Sequence, residues 1–122
     1  MGRDADRRGL GLASGLPRRV LRDSAASCEE ALGVYVSRFG LGVEHRLFRE
    51  LIPAIASVKT AADLLHDDRS RELALRLAHE ACRRAAIECR RYGLDEPLLR
   101  CAAACDRAMS EIDLLLTAAV HD

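Results

Sequence analysis

Apolar residues recur at alternating spacings of three and four along four stretches of this chain, and this repeat constrains the fold more than any other feature. In the first stretch it runs through Leu21, Ala25, Cys28, Leu32 and Tyr35. Such spacing places side chains on one face of an α-helix, where they pack against neighbouring elements. We therefore predict four amphipathic helices, because the links between the stretches contain the Gly, Pro and Asp residues that typically bound helices.

The first two helices are predicted in the N-terminal half of the chain. The first begins at Pro17 and ends at Phe39, after which Gly40 provides a C-terminal cap. The second runs from about residue 43 to residue 66. Pro53 lies inside it, and a proline at such a position removes one backbone hydrogen bond. We expect the second helix to be either bent or split there.

The third helix is predicted over about residues 71–92, with Asp68 or Ser70 as its N-cap. The fourth starts at Asp95-Glu96-Pro97, where an acidic cap precedes a first-turn proline, and it ends near Ala118. Short links between successive helices favour antiparallel neighbours. The four helices should therefore form an up-down-up-down bundle.

Composition also favours an all-α fold. The 122 residues suit one domain, and Val and Ile are sparse beside Ala and Leu, which leaves little material for strands. We predict an all-α, antiparallel up-down four-helix bundle over residues 17–122. Residues 1–16 are rich in Gly, Arg and Asp and show no apolar repeat, so we expect a mobile N-terminal tail.

Charge and hydropathy narrow the range of partners. The formal net charge is zero, from 19 basic and 19 acidic residues, so the chain has no overall field that would attract nucleic acid or an anionic membrane. No segment approaches the roughly 20 apolar residues that span a bilayer. We expect a cytoplasmic protein with no nucleic-acid or membrane partner. Its five cysteines should be reduced there, and an odd number argues against a disulfide framework.

Four cysteines fall on the last two predicted helices, Cys82 and Cys89 on the third and Cys101 and Cys105 on the fourth. Spacings of seven and four put each pair on one helical face. Thiolates inside a bundle could hold Cu(I), which accepts two or three sulfur ligands, or Zn(II), which requires a tetrahedron of four ligands. Alternatively the thiols pack as small apolar side chains, because free cysteine is among the most buried residue types.

Two further residues complete the set of candidate metal ligands. Cys28 lies on the apolar face of the first helix and could supply a fifth sulfur atom. His79 is three residues before Cys82, so the two can lie on one side of the third helix. The sequence has no Glu-x-x-His pair of a di-iron bundle, no Gly-rich phosphate loop and no nucleophile motif, and we predict that the protein is not an enzyme.

The segment from Leu75 to Ile112 resembles the four-helix bundle copper-binding family, the cytosolic copper storage proteins. The stretch from Ala81 to Gly93 is similar to the third helix and turn of that family, and the stretch from Arg100 to Ala108 is similar to its fourth helix. In that family, cysteines repeat along each helix, point into the bundle and bind many Cu(I) ions. The resemblance implies a copper-binding bundle that assembles into a homodimer or homotetramer.

Most positions where that family has cysteine are aliphatic in this chain. They are Leu47, Leu51, Ala54, Val58, Leu75, Ala78, Ala85, Leu98, Ala108 and Ile112. A core of hydrocarbon in place of sulfur favours a few bound ions over bulk storage. We interpret the chain as a bundle that binds a few Cu(I) or Zn(II) ions for buffering or sensing. The alternative is a metal-free scaffold or protein-interaction module in which the cysteines only pack.

Overall fold

The computed structural model describes residues 15–39, 46–92 and 95–120, and all regular secondary structure within these ranges is helical. The helices are α1 (Leu16–Phe39), α2 (Arg46–Asp63), α3 (Arg71–Arg90) and α4 (Glu96–Val120). The predicted all-α four-helix bundle is confirmed. Most of the predicted tail, the cap at Gly40 and the predicted start of the second helix lie outside the described residues. Among the helices described, none is long and apolar enough to cross a bilayer.

The four helices pack in a ring, in which α1 contacts α2 and α4, and α3 contacts the same two neighbours. Ion pairs on the surface mark the antiparallel register of α1 and α4. Arg38 pairs with Asp95 at 2.8 Å, and Arg100 pairs with Glu30 at 3.2 Å. Exposed pairs of this kind contribute about 0–1 kcal/mol each. Their positions show that residues near 30 in α1 lie level with residues near 100 in α4.

Buried apolar side chains from all four helices fill the interior of the ring. The largest are Leu21, Leu47, Leu51, Leu65, Leu75, Leu98 and Ile112. A fully buried Leu or Ile contributes about 1.5–3 kcal/mol relative to an exposed one. The core also includes Leu47, Leu51, Ala54, Val58, Leu75, Ala78, Ala85, Leu98, Ala108 and Ile112. The bundle therefore has an apolar core that does not depend on a bound metal.

Helix α2 passes through Pro53 without a break, so the second helix is not split. The proline removes one backbone hydrogen bond, but Leu51 and Ala54 on either side of it are buried, and their packing holds the helix against the core. The helix ends at Asp63, three residues before the predicted end at His66, because residues 64–66 form hydrogen-bonded turns.

The residues predicted to cap the third and fourth helices, Ser70 and Asp95, both lie at the start of a helix in the structure. Ser70 occupies the N-cap position of α3, although its side chain makes no capping hydrogen bond. Asp95 precedes α4, and its Oδ1 atom accepts a hydrogen bond from the backbone N–H of Leu98 at 3.4 Å. The acidic residue thus fixes the beginning of the helix that carries Cys101 and Cys105.

Adjacent residues of α2 provide a test of this packing. Leu51 is fully buried, whereas the side chain of Ile52 is 55% exposed. We expect Leu51→Ala to lower the free energy of unfolding by about 2–5 kcal/mol, because it leaves a cavity in the core. Ile52→Ala should change it by less than about 1 kcal/mol. Urea denaturation followed by circular dichroism measures both, and equal losses would contradict the assignment of the core face.

Candidate metal centre

Three cysteines from two neighbouring helices form the centre of a buried thiol cluster. Cys28 lies in the middle of α1, and Cys101 and Cys105 lie one turn apart on α4. All three occupy the apolar face of their helix, which turns them inward. The antiparallel register of α1 and α4 then brings the three to the same level of the bundle.

The sulfur atoms of these three cysteines lie within 4.8 Å of one another. Cys101 Sγ is 2.9 Å from Cys28 Sγ, and Cys28 Sγ is 3.6 Å from Cys105 Sγ. An ion bound at about 2.3 Å from three sulfur atoms, a distance typical of zinc and thiolate, needs them about 4.0 Å apart. Both of these separations are shorter than that value, and all three sulfur atoms lie within 4.8 Å of one another. Small side-chain rotations would therefore bring three sulfur ligands around one ion.

The two cysteines of α3 flank this group. The thiol of Cys82 interacts with Cys105, and the thiol of Cys89 interacts with Cys101. All five cysteines are free and at most 1% exposed. The cluster therefore consists of three sulfur atoms contributed by α1 and α4, with one thiol from α3 beside each of the two α4 cysteines.

Hydrogen bonds within the cluster couple the pKa values of its thiols. Donation from Cys101, Cys28 and Cys82 lowers the pKa of Cys105 and outweighs its burial. Hydrogen bonds to Cys105, Cys28 and Cys89, together with burial, raise the pKa of Cys101. The thiols of the cluster therefore share their protons as a coupled group.

The pKa values of the two other donors move in the opposite direction to that of Cys105. Donation from Cys101 favours the Cys28 thiolate, but donation to Cys105 and burial outweigh it, so the pKa of Cys28 is raised. The hydrogen bond to Cys105, followed by burial, raises the pKa of Cys82. At neutral pH the metal-free cluster thus keeps most of its thiols protonated.

Among the residues that the structure describes, no basic side chain lies in the buried interior that surrounds the cluster. Within the described part of the chain, no Lys or Arg is buried, and the buried polar or charged residues are Ser24 and Glu88. Negative charge in an apolar interior is costly unless a positive charge accompanies it. A thiophilic metal ion at the centre of the three sulfur atoms would supply that charge.

Ser24 belongs to the same cluster. It lies one turn before Cys28 on α1, is 1% exposed, and interacts with the thiols of Cys82 and Cys105. These contacts with sulfur are weak, and the buried Oγ atom makes no hydrogen bond of good geometry. Leaving a buried hydroxyl unsatisfied costs about 1–3 kcal/mol. The sequence carried one signal for it, because Ser24 interrupts the apolar face between Leu21 and Cys28.

His79 lies apart from the group of three cysteines. Its Nε2 atom is 3.2 Å from Oδ1 of Asp113 on α4, and its side chain is 31% exposed. The pair joins α3 to α4 at the surface. His79 as a metal ligand stays a prediction, and the partner that the structure gives it is a carboxylate rather than a thiol.

Comparisons with models of protein families, with curated proteins and with solved structures give no match for this chain.

Burial of the thiols predicts low reactivity. We expect a thiol reagent such as dithionitrobenzoate to modify the metal-free native protein at least about a hundredfold more slowly than the unfolded chain, because access requires opening of the bundle. The raised pKa values of Cys28, Cys82 and Cys101 act in the same direction, because the thiolate is the reactive form. Rapid modification of several thiols in the native protein would contradict a buried cluster.

Proposed function

We propose that this protein binds a soft metal ion, Cu(I) in the first place, through Cys28, Cys101 and Cys105. The observation that carries the proposal is the proximity of these three sulfur atoms in the fully buried interior. Thiolate is the ligand type that Cu(I) and Zn(II) share, and an all-sulfur site favours the softer ion. Cys82 and Cys89 would serve as hydrogen-bond donors to the bound thiolates or as additional ligands.

The number of close sulfur atoms is the reason for preferring Cu(I) to Zn(II). Three sulfur ligands satisfy Cu(I), which makes little geometric demand. A structural Zn(II) site is almost always tetrahedral and would need a fourth ligand, for which Cys82 beside Cys105 and Cys89 beside Cys101 are the nearest candidates. Uptake of Zn(II) would therefore require a larger rearrangement of α3 than uptake of Cu(I).

The aliphatic core supports a role in buffering or sensing instead of bulk storage. The copper storage family, which this chain resembles, has sulfur at positions that are buried Leu, Ala, Val and Ile here. Those residues stabilise the metal-free bundle but cannot bind metal. A protein of this kind would exist folded in both metal-free and metal-bound forms, as a buffer or sensor in a reducing compartment requires.

Competition between the reduced protein and a Cu(I) chelator tests the proposal. We expect stoichiometric uptake by the wild type. Cys28→Ala, Cys101→Ala and Cys105→Ala should each weaken affinity by more than about a hundredfold, since loss of a ligand exceeds the 10–100-fold cost of losing a residue that only supports one. Val58→Ala is the matched control, because it truncates an equally buried side chain on α2, a helix that carries no cysteine.

Circular dichroism of every variant separates loss of the site from loss of the fold. Folded Cys28, Cys101 and Cys105 variants with wild-type affinity for Cu(I) would refute the proposed site. A wild-type protein that takes up no Cu(I) or Zn(II) against the chelator would refute the function itself.

An exposed apolar stripe favours a second candidate function, that of a protein-interaction module. On α3, Leu73 is 64% and Leu77 is 57% exposed, and Ile52 on α2 is exposed as well. Leu77 also lines a shallow groove between α2 and α3, together with Ala56 and Ala74. Solvent-exposed apolar side chains that cluster in this way are typical of interaction surfaces. In this function the cysteines would only pack, and the homodimer or homotetramer implied by the family resemblance would use this stripe.

A further inference from the structure

The hydroxyl group of Ser24 is buried, and the metal-free protein offers it only poor hydrogen-bond partners. Its buried Oγ atom makes no hydrogen bond of good geometry and interacts only weakly with the thiols of Cys82 and Cys105. A neutral thiol sulfur is a weak acceptor, so it satisfies the hydroxyl poorly. Alanine, which follows at position 25 and is equally buried, would fill such a site without this penalty.

A metal-bound sulfur atom would give that hydroxyl a favourable hydrogen-bond acceptor. On binding a metal, all three sulfur ligands become thiolates, and a thiolate accepts hydrogen bonds strongly because it is charged. The buried surroundings strengthen such a bond further. Ser24 lies on α1, one turn before the proposed ligand Cys28. It therefore approaches the cluster from α1, whereas Cys101 and Cys105 approach it from α4.

We propose that Ser24 is a positioning residue of the metal centre, whose hydroxyl donates a hydrogen bond to the Sγ atom of Cys105 in the metal-bound protein. This inference rests on the proposed function. The hydroxyl would disperse negative charge, because three thiolates around a monovalent ion carry a net charge of minus two, and none of the described Lys and Arg residues is buried. It would also hold the Cys105 side chain in the rotamer that faces the ion. Residues that support metal ligands in this way are a general feature of metal sites.

The proposal predicts opposite effects of one substitution on the two states of the protein. Ser24→Ala should raise the melting temperature of the metal-free protein by about 2–8 °C, because it removes an unsatisfied buried hydroxyl. The same variant should bind Cu(I) about tenfold or more weakly, and its sulfur-to-metal charge-transfer absorption should shift. Ser24→Thr retains the hydroxyl and should restore both the affinity and the spectrum. Ser37→Ala removes an exposed hydroxyl from the same helix and serves as the matched control.

The outcomes distinguish this inference from the proposed function. If Ser24→Ala binds Cu(I) with wild-type affinity and an unchanged charge-transfer spectrum, Ser24 only packs and the inference is overturned while the metal site stands. If the wild type takes up no metal, the function fails and the inference fails with it. A loss of affinity in Ser24→Ala that Ser24→Thr does not restore would also overturn it, because the hydroxyl would not be the cause.

Discussion

The antiparallel packing of α1 against α4 decides where the sulfur atoms of this protein lie. The ion pairs between Arg38 and Asp95 and between Arg100 and Glu30 record the register, and the thiols meet at the same level inside. A shift of one turn, about 5.4 Å, would leave at most one of the two α4 cysteines beside Cys28, because Cys101 and Cys105 are themselves one turn apart. The chemistry of the site therefore depends on a contact between the first and last helices, which closes the ring.

The remainder of the core makes that register independent of metal. Large aliphatic side chains from all four helices are fully buried around the cluster, so the thiols can stay protonated in a folded metal-free protein. Binding of a metal would then exchange protons for one cation, and its free energy would not be needed for folding. The buried hydroxyl of Ser24 does not contribute to the stability of the metal-free bundle in this way, because it lacks a good hydrogen-bond partner there.

The helices and the core were predictable because their signal is local. Spacings of three and four identify the buried face of each helix, and Cys82, Cys89, Cys101 and Cys105 are buried as that pattern indicates. The contact of Cys28 with the cysteines of α4 was harder to predict. Periodicity tells which way a side chain faces but not which residues on different helices are level, and Cys28 and Cys101 are 73 positions apart in the chain. The contact of His79 with Asp113 depends on the same long-range register.

X-ray absorption spectroscopy of the Cu(I)-loaded protein tests the central claim most directly, because it reports the atoms bound to the metal. The account predicts a first shell made of sulfur alone, with one sulfur scatterer fewer after Cys28→Ala. A first shell dominated by nitrogen or oxygen would contradict it, since the ion would then lie outside the thiol cluster between α1 and α4.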